Sequence, residues 1–238
     1  MIDSIINNMP FGTANALGDQ WSTISFLYRI SEAISAPIDM GQYYYSRYSH
    51  ETITKETYKL TKEILPLFDT KGKINLIDQA AKTLLPWTVR FAYPYLKTKI
   101  KWNSKKTTNI VCFQFNAKSQ KKLVYMDNEQ IEKIQSFLKK LGYRVQKLGF
   151  NQSIEDIVNC LSTCTAFVGV DSGMSHIAHS VGAPIFMIAN NRLLFSMRNG
   201  SHYKKQQLYC SDINDFIKAF SEFHQTKYDY YYKYCENY

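Results

Sequence analysis

Along the second half of the chain, apolar positions switch repeatedly between strand-like runs and helix-like stripes. Ile110 to Phe115 (IVCFQF) predicts a buried strand. Asp127, with Gln130 three residues on, has the pattern of a capping box, and it opens a helix whose Ile131, Ile134, Leu138 and Leu141 share one face. Gly142 stands where a helix C-cap glycine belongs. Tyr143 to Leu148 predicts a second strand, and Ser153 caps a helix carrying Ile154, Ile157, Val158 and Leu161. Ala166 to Val170 predicts a third strand, Gly173 to Val181 a short helix closed by Gly182 and Pro184, and Pro184 to Ala189 a fourth strand. Short apolar strands alternating with helices imply parallel pairing through right-handed crossovers, which makes this a Rossmann-like half. Residues 211–224 predict a further helix, with Ser211 as N-cap and Ile213, Phe216, Ile217 and Phe220 on one side.

The first hundred residues are less regular. The pattern predicts a strand over 4–11, an amphipathic helix from Gln20 to Ile34, a strand from Ile38 to Tyr45, a helix from Thr52 to Leu67 and a short strand from Ile74 to Asp78. That outlines a second, smaller α/β unit. Lys97 to Lys106 (KTKIKWNSKK) holds five lysines and no acid, as suits an exposed linker. The expected organisation is therefore residues 1–105, residues 106–224 and a tyrosine-rich tail, 225–238, that either docks or frays.

A length of 238 residues with 45% hydrophobic and 21% charged positions excludes a disordered tail. The formal charge of +9 favours anionic company: phosphorylated metabolites, anionic lipid headgroups or nucleic acid. Nucleic acid is not expected as a partner, because the basic run around Trp102 belongs to no recognised binding module. A peripheral contact with an anionic membrane fits the same lysines. The five cysteines form no CxxC pair and no Cys/His ligand spacing, which points to a reducing compartment and to no metal site. Asp3 stands near the start with no basic region ahead of an apolar core, so no signal peptide is expected. The longest apolar stretch, around Val181 to Ala189, falls well short of the roughly 20 residues that span a bilayer. A cytoplasmic protein, associated at most with the inner face of the membrane, is the resulting expectation.

Candidate chemistry concentrates in Val168 to Pro184 (VGVDSGMSHIAHSVGAP). A strand ends in Asp171, Ser172 and Gly173 and a helix starts at once, so unpaired backbone N–H groups and a positive dipole end face the carboxyl edge of the sheet. Parallel sheets bind ligands there. A diphosphate at that edge would meet the amides of Ser172, Gly173 and Met174 and the Ser172 hydroxyl, with His176 one turn further on. The same residues also serve a simpler role, with Asp171 and Ser172 capping the helix and Gly173 making the turn.

The stretch DSGMSHIAHSVGAP resembles the DSG-x-x-H-x-A-x-x-x-G-x-P signature of the heptosyltransferase family (glycosyltransferase family 9), matching at Asp171, Ser172, Gly173, His176, Ala178, Gly182 and Pro184. Leu17-Gly18-Asp19 resembles that family's Gly-Asp pair at the end of the first strand of the acceptor domain. The resemblance implies an α/β fold of GT-B type: two Rossmann-like domains, a reduced acceptor-side one (1–105) and one that binds the nucleotide sugar (106–224). It implies a hexosyl- or heptosyltransferase that moves a sugar from a nucleotide-diphosphate donor to a glycan or lipid-linked glycan, as in lipopolysaccharide biosynthesis, without a metal or other cofactor. Asp19 would be the general base. Asp171, Ser172, Gly173, Met174 and His176 would hold the donor, and a lysine of the loop Asn116 to Val124, either Lys121 or Lys122, would offset the charge of the leaving diphosphate. Two other readings use the same cradle: a non-catalytic nucleotide-sugar or glycan-binding protein, and a nucleotide-sugar epimerase.

Overall fold

The computed structural model describes residues 11–12, 17–41, 61–77, 83–84, 95–115, 126–149, 151–170, 172–188 and 207–226. The chain divides into two compact units, residues 1–99 and 100–238.

In the N-terminal unit, β1 (Phe11–Gly12) leads to α1 (Leu17–Ile34), β2 (Ile38–Gly41), a 3-10 turn (Leu65–Leu67), β3 (Ile74–Ile77) and β4 (Thr83–Leu84). The four strands pair in parallel in the order β3-β2-β1-β4. Helix α1 starts three residues earlier than its periodicity predicts. Gly18 and Asp19 have low helix propensity, yet the first turn is packed, with Gly18, Gln20 and Trp21 buried. Trp21 meets Phe68 edge-on at 4.9 Å, and both are fully buried, as are Ile24 and Leu27. The helix predicted up to Leu67 tightens at its end, where Pro66 leaves its final turn as 3-10. The predicted strand residues 4–10 and 42–45, and the helix residues 52–60, lie outside the described residues.

The C-terminal unit holds β5 (Ile110–Gln114), α2 (Asn128–Lys140), β6 (Arg144–Lys147), α3 (Ile154–Thr163), β7 (Ala166–Gly169), α4 (Gly173–Val181), β8 (Ile185–Ile188), β9 (Gln207–Cys210) and α5 (Ile213–Gln225). All five strands run parallel, in the order β6-β5-β7-β8-β9. The predicted starts of α2 and α3 hold in detail. Asp127 and Gln130 exchange both bonds of the capping box, at 2.7 and 3.1 Å, and Ser153 Oγ accepts from the Asp156 amide at 3.0 Å. Gly182 ends α4 with φ 93°, a left-handed conformation that L side chains rarely adopt.

Two features depart from the sequence expectation. The edge strand β9 has no counterpart in the predicted pattern: QLYC is short and follows a polar run. The cap of α5 is Asp212 rather than Ser211, since Asp212 Oδ1 accepts from the Asp215 amide at 2.9 Å while the Ser211 amide donates to the Asp215 carboxylate at 2.9 Å. On one side of the sheet, Phe186 sits within 4.9 to 6.1 Å of Phe216, Phe220 and Phe223 of α5. Each such buried side chain contributes roughly 1.5–3 kcal/mol, so this aromatic cluster anchors the unit.

Candidate functional site

The strand order sets where a ligand can sit. In the C-terminal sheet β5 lies between β6 and β7, so the chain leaves it toward opposite sides. The crevice beyond the carboxyl ends of β5 and β7 is a topological switch point, the place where open parallel sheets bind ligands. Here the two strands approach closely. A Cβ on Gly169 would lie 2.4 Å from the Gln114 carbonyl oxygen, a contact only glycine permits, and the Val170 amide donates to that same oxygen at 3.2 Å.

Helix α4 begins at this crevice. Ser172 takes the N-cap position with extended backbone, but its hydroxyl does not cap. Ser175 ties the turn back from inside the helix: its Oγ donates to the Ser172 carbonyl at 2.7 Å and accepts from the Ser172 amide at 3.3 Å. The Ser172 Oγ is shielded from solvent and has no hydrogen-bond partner among the described residues. A buried hydroxyl left so costs roughly 1–3 kcal/mol unless something binds it. Behind it, the first-turn amides of Gly173 and Met174 have no acceptor within the helix. Sequence reasoning missed Ser175, because the sequence shows a serine one turn in but not its rotamer.

The wheel of α4 is sharply two-sided. Met174, Ile177, Ala178 and Val181 form one face, and Ser172, Ser175, His176, His179 and Ser180 the other. Both faces are covered, with Ser175 1%, His176 7%, His179 5% and Ser180 0% exposed. His176 is therefore an interior imidazole, already engaged by other groups of the protein.

Of the sequence-predicted site residues, Ser172, Gly173, Met174 and His176 come together on this cap and first turn. Asp171, Lys121 and Lys122 lie outside the described residues. Asp19 belongs to the other unit and falls in the first turn of α1, not at the end of a strand. That turn follows β1, which lies between β2 and β4 and so marks the switch point of its own sheet. Next to Asp19, the fully buried Gln20 accepts from Thr61 Oγ1 at 2.9 Å, and its Nε2 has no partner among the described residues, a polar group that sequence reasoning did not single out. No group of three or more His, Cys, Asp or Glu side chains with metal-holding geometry occurs among the described residues.

Residues 106–189, from the approach to β5 through the end of β8, match glycosyltransferase family 9 (heptosyltransferase). Among solved structures, the chain resembles the iron-containing dodecameric glycosyltransferase TibC of enterotoxigenic E. coli, with a TM-score of 0.53 and 13% identity over 76% of this chain. The heptosyltransferase TibC in complex with ADP-D-beta-D-heptose gives a TM-score of 0.54 at 13% identity over the same 76%. E. coli heptosyltransferase WaaC with ADP gives 0.50 at 12% identity, over 91% of this chain and 98% of that one. The chain spans 58% of the length of the TibC structures. At such identities the likeness is one of fold, and the α/β, GT-B-like architecture expected from the sequence is the one observed. No curated protein matches by sequence.

Proposed function

We propose, for a chain whose residues 106–189 are of glycosyltransferase family 9 (heptosyltransferase) type, that it transfers a sugar from a nucleotide-diphosphate donor to a hydroxyl of a glycan or lipid-linked glycan. The observation that carries this reading is the start of α4: two helix-terminal amides and a buried, unpartnered Ser172 hydroxyl converge at the switch point of the sheet. Such a cradle is complementary to a diphosphate, and its donors gain strength as negative charge builds on the leaving group. Asp171, Gly173, Met174 and His176 complete the donor site, and Lys121 or Lys122 offsets the remaining charge, so this step draws its stabilisation from protein groups. Asp19 removes the proton from the acceptor hydroxyl as it attacks the anomeric carbon, a single displacement that inverts the configuration there.

ADP is the preferred nucleotide and a heptose the preferred sugar, by analogy with the ligands of TibC and WaaC. The four described cysteines are free thiols, as suits a reducing cytoplasm, and we assign the protein to that compartment with peripheral contact at the inner membrane face. No described helix is long and apolar enough to cross a membrane.

The test is a thermal-shift panel of ADP, GDP, UDP and CDP, because a ligand that binds only the native state raises its melting point. ADP is expected to give the largest shift. Asp19→Asn should keep that shift while reducing turnover of ADP-heptose by orders of magnitude. Indifference to all four nucleotides would overturn the reading.

A further inference from the structure

The edge of the C-terminal sheet opposite the donor site is built differently. All five parallel strands start there, and α2, α3 and α4 end there. The segment ahead of β5 is strapped across the ends of α3 and α4. The Trp102 amide donates to Val181 O at 2.9 Å, its indole Nε1 to Cys164 O at 2.8 Å, the Asn103 amide to Ser162 O at 3.3 Å and the Thr108 amide to Thr163 O at 2.8 Å. The helix carbonyls at this edge are thus answered by backbone and indole N–H groups, and the lysines are not spent on them.

Six cations stand at this edge: Lys101, Lys105 and Lys106 on the strap, Lys139 and Lys140 on the last turn of α2, and Arg144 at the start of β6. All six are exposed, and none has an ion pair or side-chain hydrogen bond among the described residues. Arg144 is joined to the end of the strap by its amide, which donates to Asn109 O at 2.8 Å. The described carboxylates of this unit sit mostly at the other ends of the helices, Asp127, Glu155, Asp156, Asp212 and Asp215 among them. Glu132, in the middle of α2, and Glu222, in the last turns of α5, are the exceptions. Ile100, beside Lys101, is the exposed large hydrophobic side chain of the described residues, at 37%.

Exposed cations and an exposed isoleucine on one edge match a surface that is anionic outside and apolar beneath. We infer that this amino-terminal edge of the C-terminal sheet docks on an anionic lipid bilayer, with Ile100 entering the headgroup layer and the six cations facing lipid phosphates. The inference deepens the membrane contact in the function proposed above and names the surface that makes it. A duplex nucleic acid would use the same charges but not Ile100, which favours lipid. A basic residue near such a surface is worth about fivefold in partitioning, and the attraction fades beyond a Debye length.

The test is co-sedimentation of the full chain with vesicles of phosphatidylcholine, with and without phosphatidylglycerol, at low and high salt. The expected result is binding only to vesicles with phosphatidylglycerol, lost at high salt. Lys105→Glu with Lys106→Glu, and Lys139→Glu with Lys140→Glu, should each weaken it at least tenfold, and Ile100→Asp should weaken it too. Lys133→Glu with Lys218→Glu has the same net charge change on the flanks of α2 and α5, and should leave most of the binding intact. Glutamine replacements at the four edge lysines serve as the milder set if a reversal unfolds the chain. Equal loss from edge and control reversals, or equal binding to neutral vesicles, would overturn the proposal. So would edge reversals that spare vesicle binding while abolishing binding to duplex DNA. The ADP-induced thermal shift should be the same in every variant, so a failed donor site and a failed docking surface give different outcomes.

Discussion

The Oγ of Ser175 donates to the carbonyl of Ser172 at 2.7 Å, so the first turn of α4 is tied back to its N-cap residue from inside the helix. The Ser172 Oγ itself is buried and has no hydrogen-bond partner among the described residues.

The two serines should therefore separate stability from binding. Ser175→Ala is expected to destabilise the protein by about 1 kcal/mol, the usual net worth of an intramolecular hydrogen bond. Ser172→Ala should leave the melting temperature nearly unchanged or slightly raised, since it removes a buried unsatisfied hydroxyl, and should shrink the shift produced by ADP. Calorimetry of both variants with and without ADP checks this. Equal loss of stability from both would show that Ser172 is an ordinary cap.

Gly169 tests the close approach of β5 and β7. Gly169→Ala sets a methyl group against the Gln114 carbonyl, which is backbone and cannot swing aside. A loss of about 1–3 kcal/mol is expected, as for overpacking generally, together with weaker nucleotide binding, because Val170 and the cap follow directly. Gly149→Ala is the control: a Cβ there meets nothing within 4 Å, and urea denaturation should find it nearly neutral.

Alkaline pH should unfold the C-terminal unit early. Burial pushes the Tyr143 hydroxyl up to about 12, and burial with the charges of Asp215 and Asp212 pushes the Cys210 thiol up to about 12. Both groups are held neutral in the fold, so the unfolded chain releases their protons first. Their stabilisation is complete below the unfolded values, near 9 for the thiol and 10 for the phenol, and is lost as pH rises toward 12. Urea midpoints should fall steadily over that range. Tyr143→Phe should flatten the fall while losing stability at neutral pH, because the Tyr143 hydroxyl lies 2.8 Å from Nδ1 of His224.

Thiol chemistry should be graded by burial. Cys112, Cys164 and Cys210 are buried, while Cys160 is partly exposed and its Sγ accepts from Gln146 Nε2 at 3.1 Å. Burial, then the neighbouring Cys112, raises the Cys160 thiol, so even this one should react slowly. In a Cys235→Ser background, titration with an aromatic disulfide should label Cys160 in the native protein and the other three only in urea. Rapid native labelling of all four would contradict this packing.

The C-terminal sheet was legible because its elements obey strict periods. The stripe of α2 with its Asp127 box, the Ser153 cap and the span Gly173–Val181 each combine local propensity with a buried face. Strand β9 escaped because an edge strand of four residues needs only one neighbour, and its evidence is that pairing with β8. Ser211 and Asp212 are both good caps, and backbone geometry chose between them. At the candidate site, residue types pointed to the cradle, but the division of labour between Ser172 and Ser175 depends on a side-chain rotamer, which no spacing encodes. In the first unit Gly18 and Asp19 resemble a turn, yet they open α1, whose first residues include the buried Gly18, Gln20 and Trp21.

The strap ahead of β5 bears on how the chain can be dissected. The family match opens at residue 106, yet Trp102 and Asn103 already close the ends of α3 and α4. A truncation that begins at that match would strip three hydrogen bonds from two helix termini and bare the backbone of Cys164. A recombinant fragment of the C-terminal half should instead start at Ile100, where the contact boundary between the units lies.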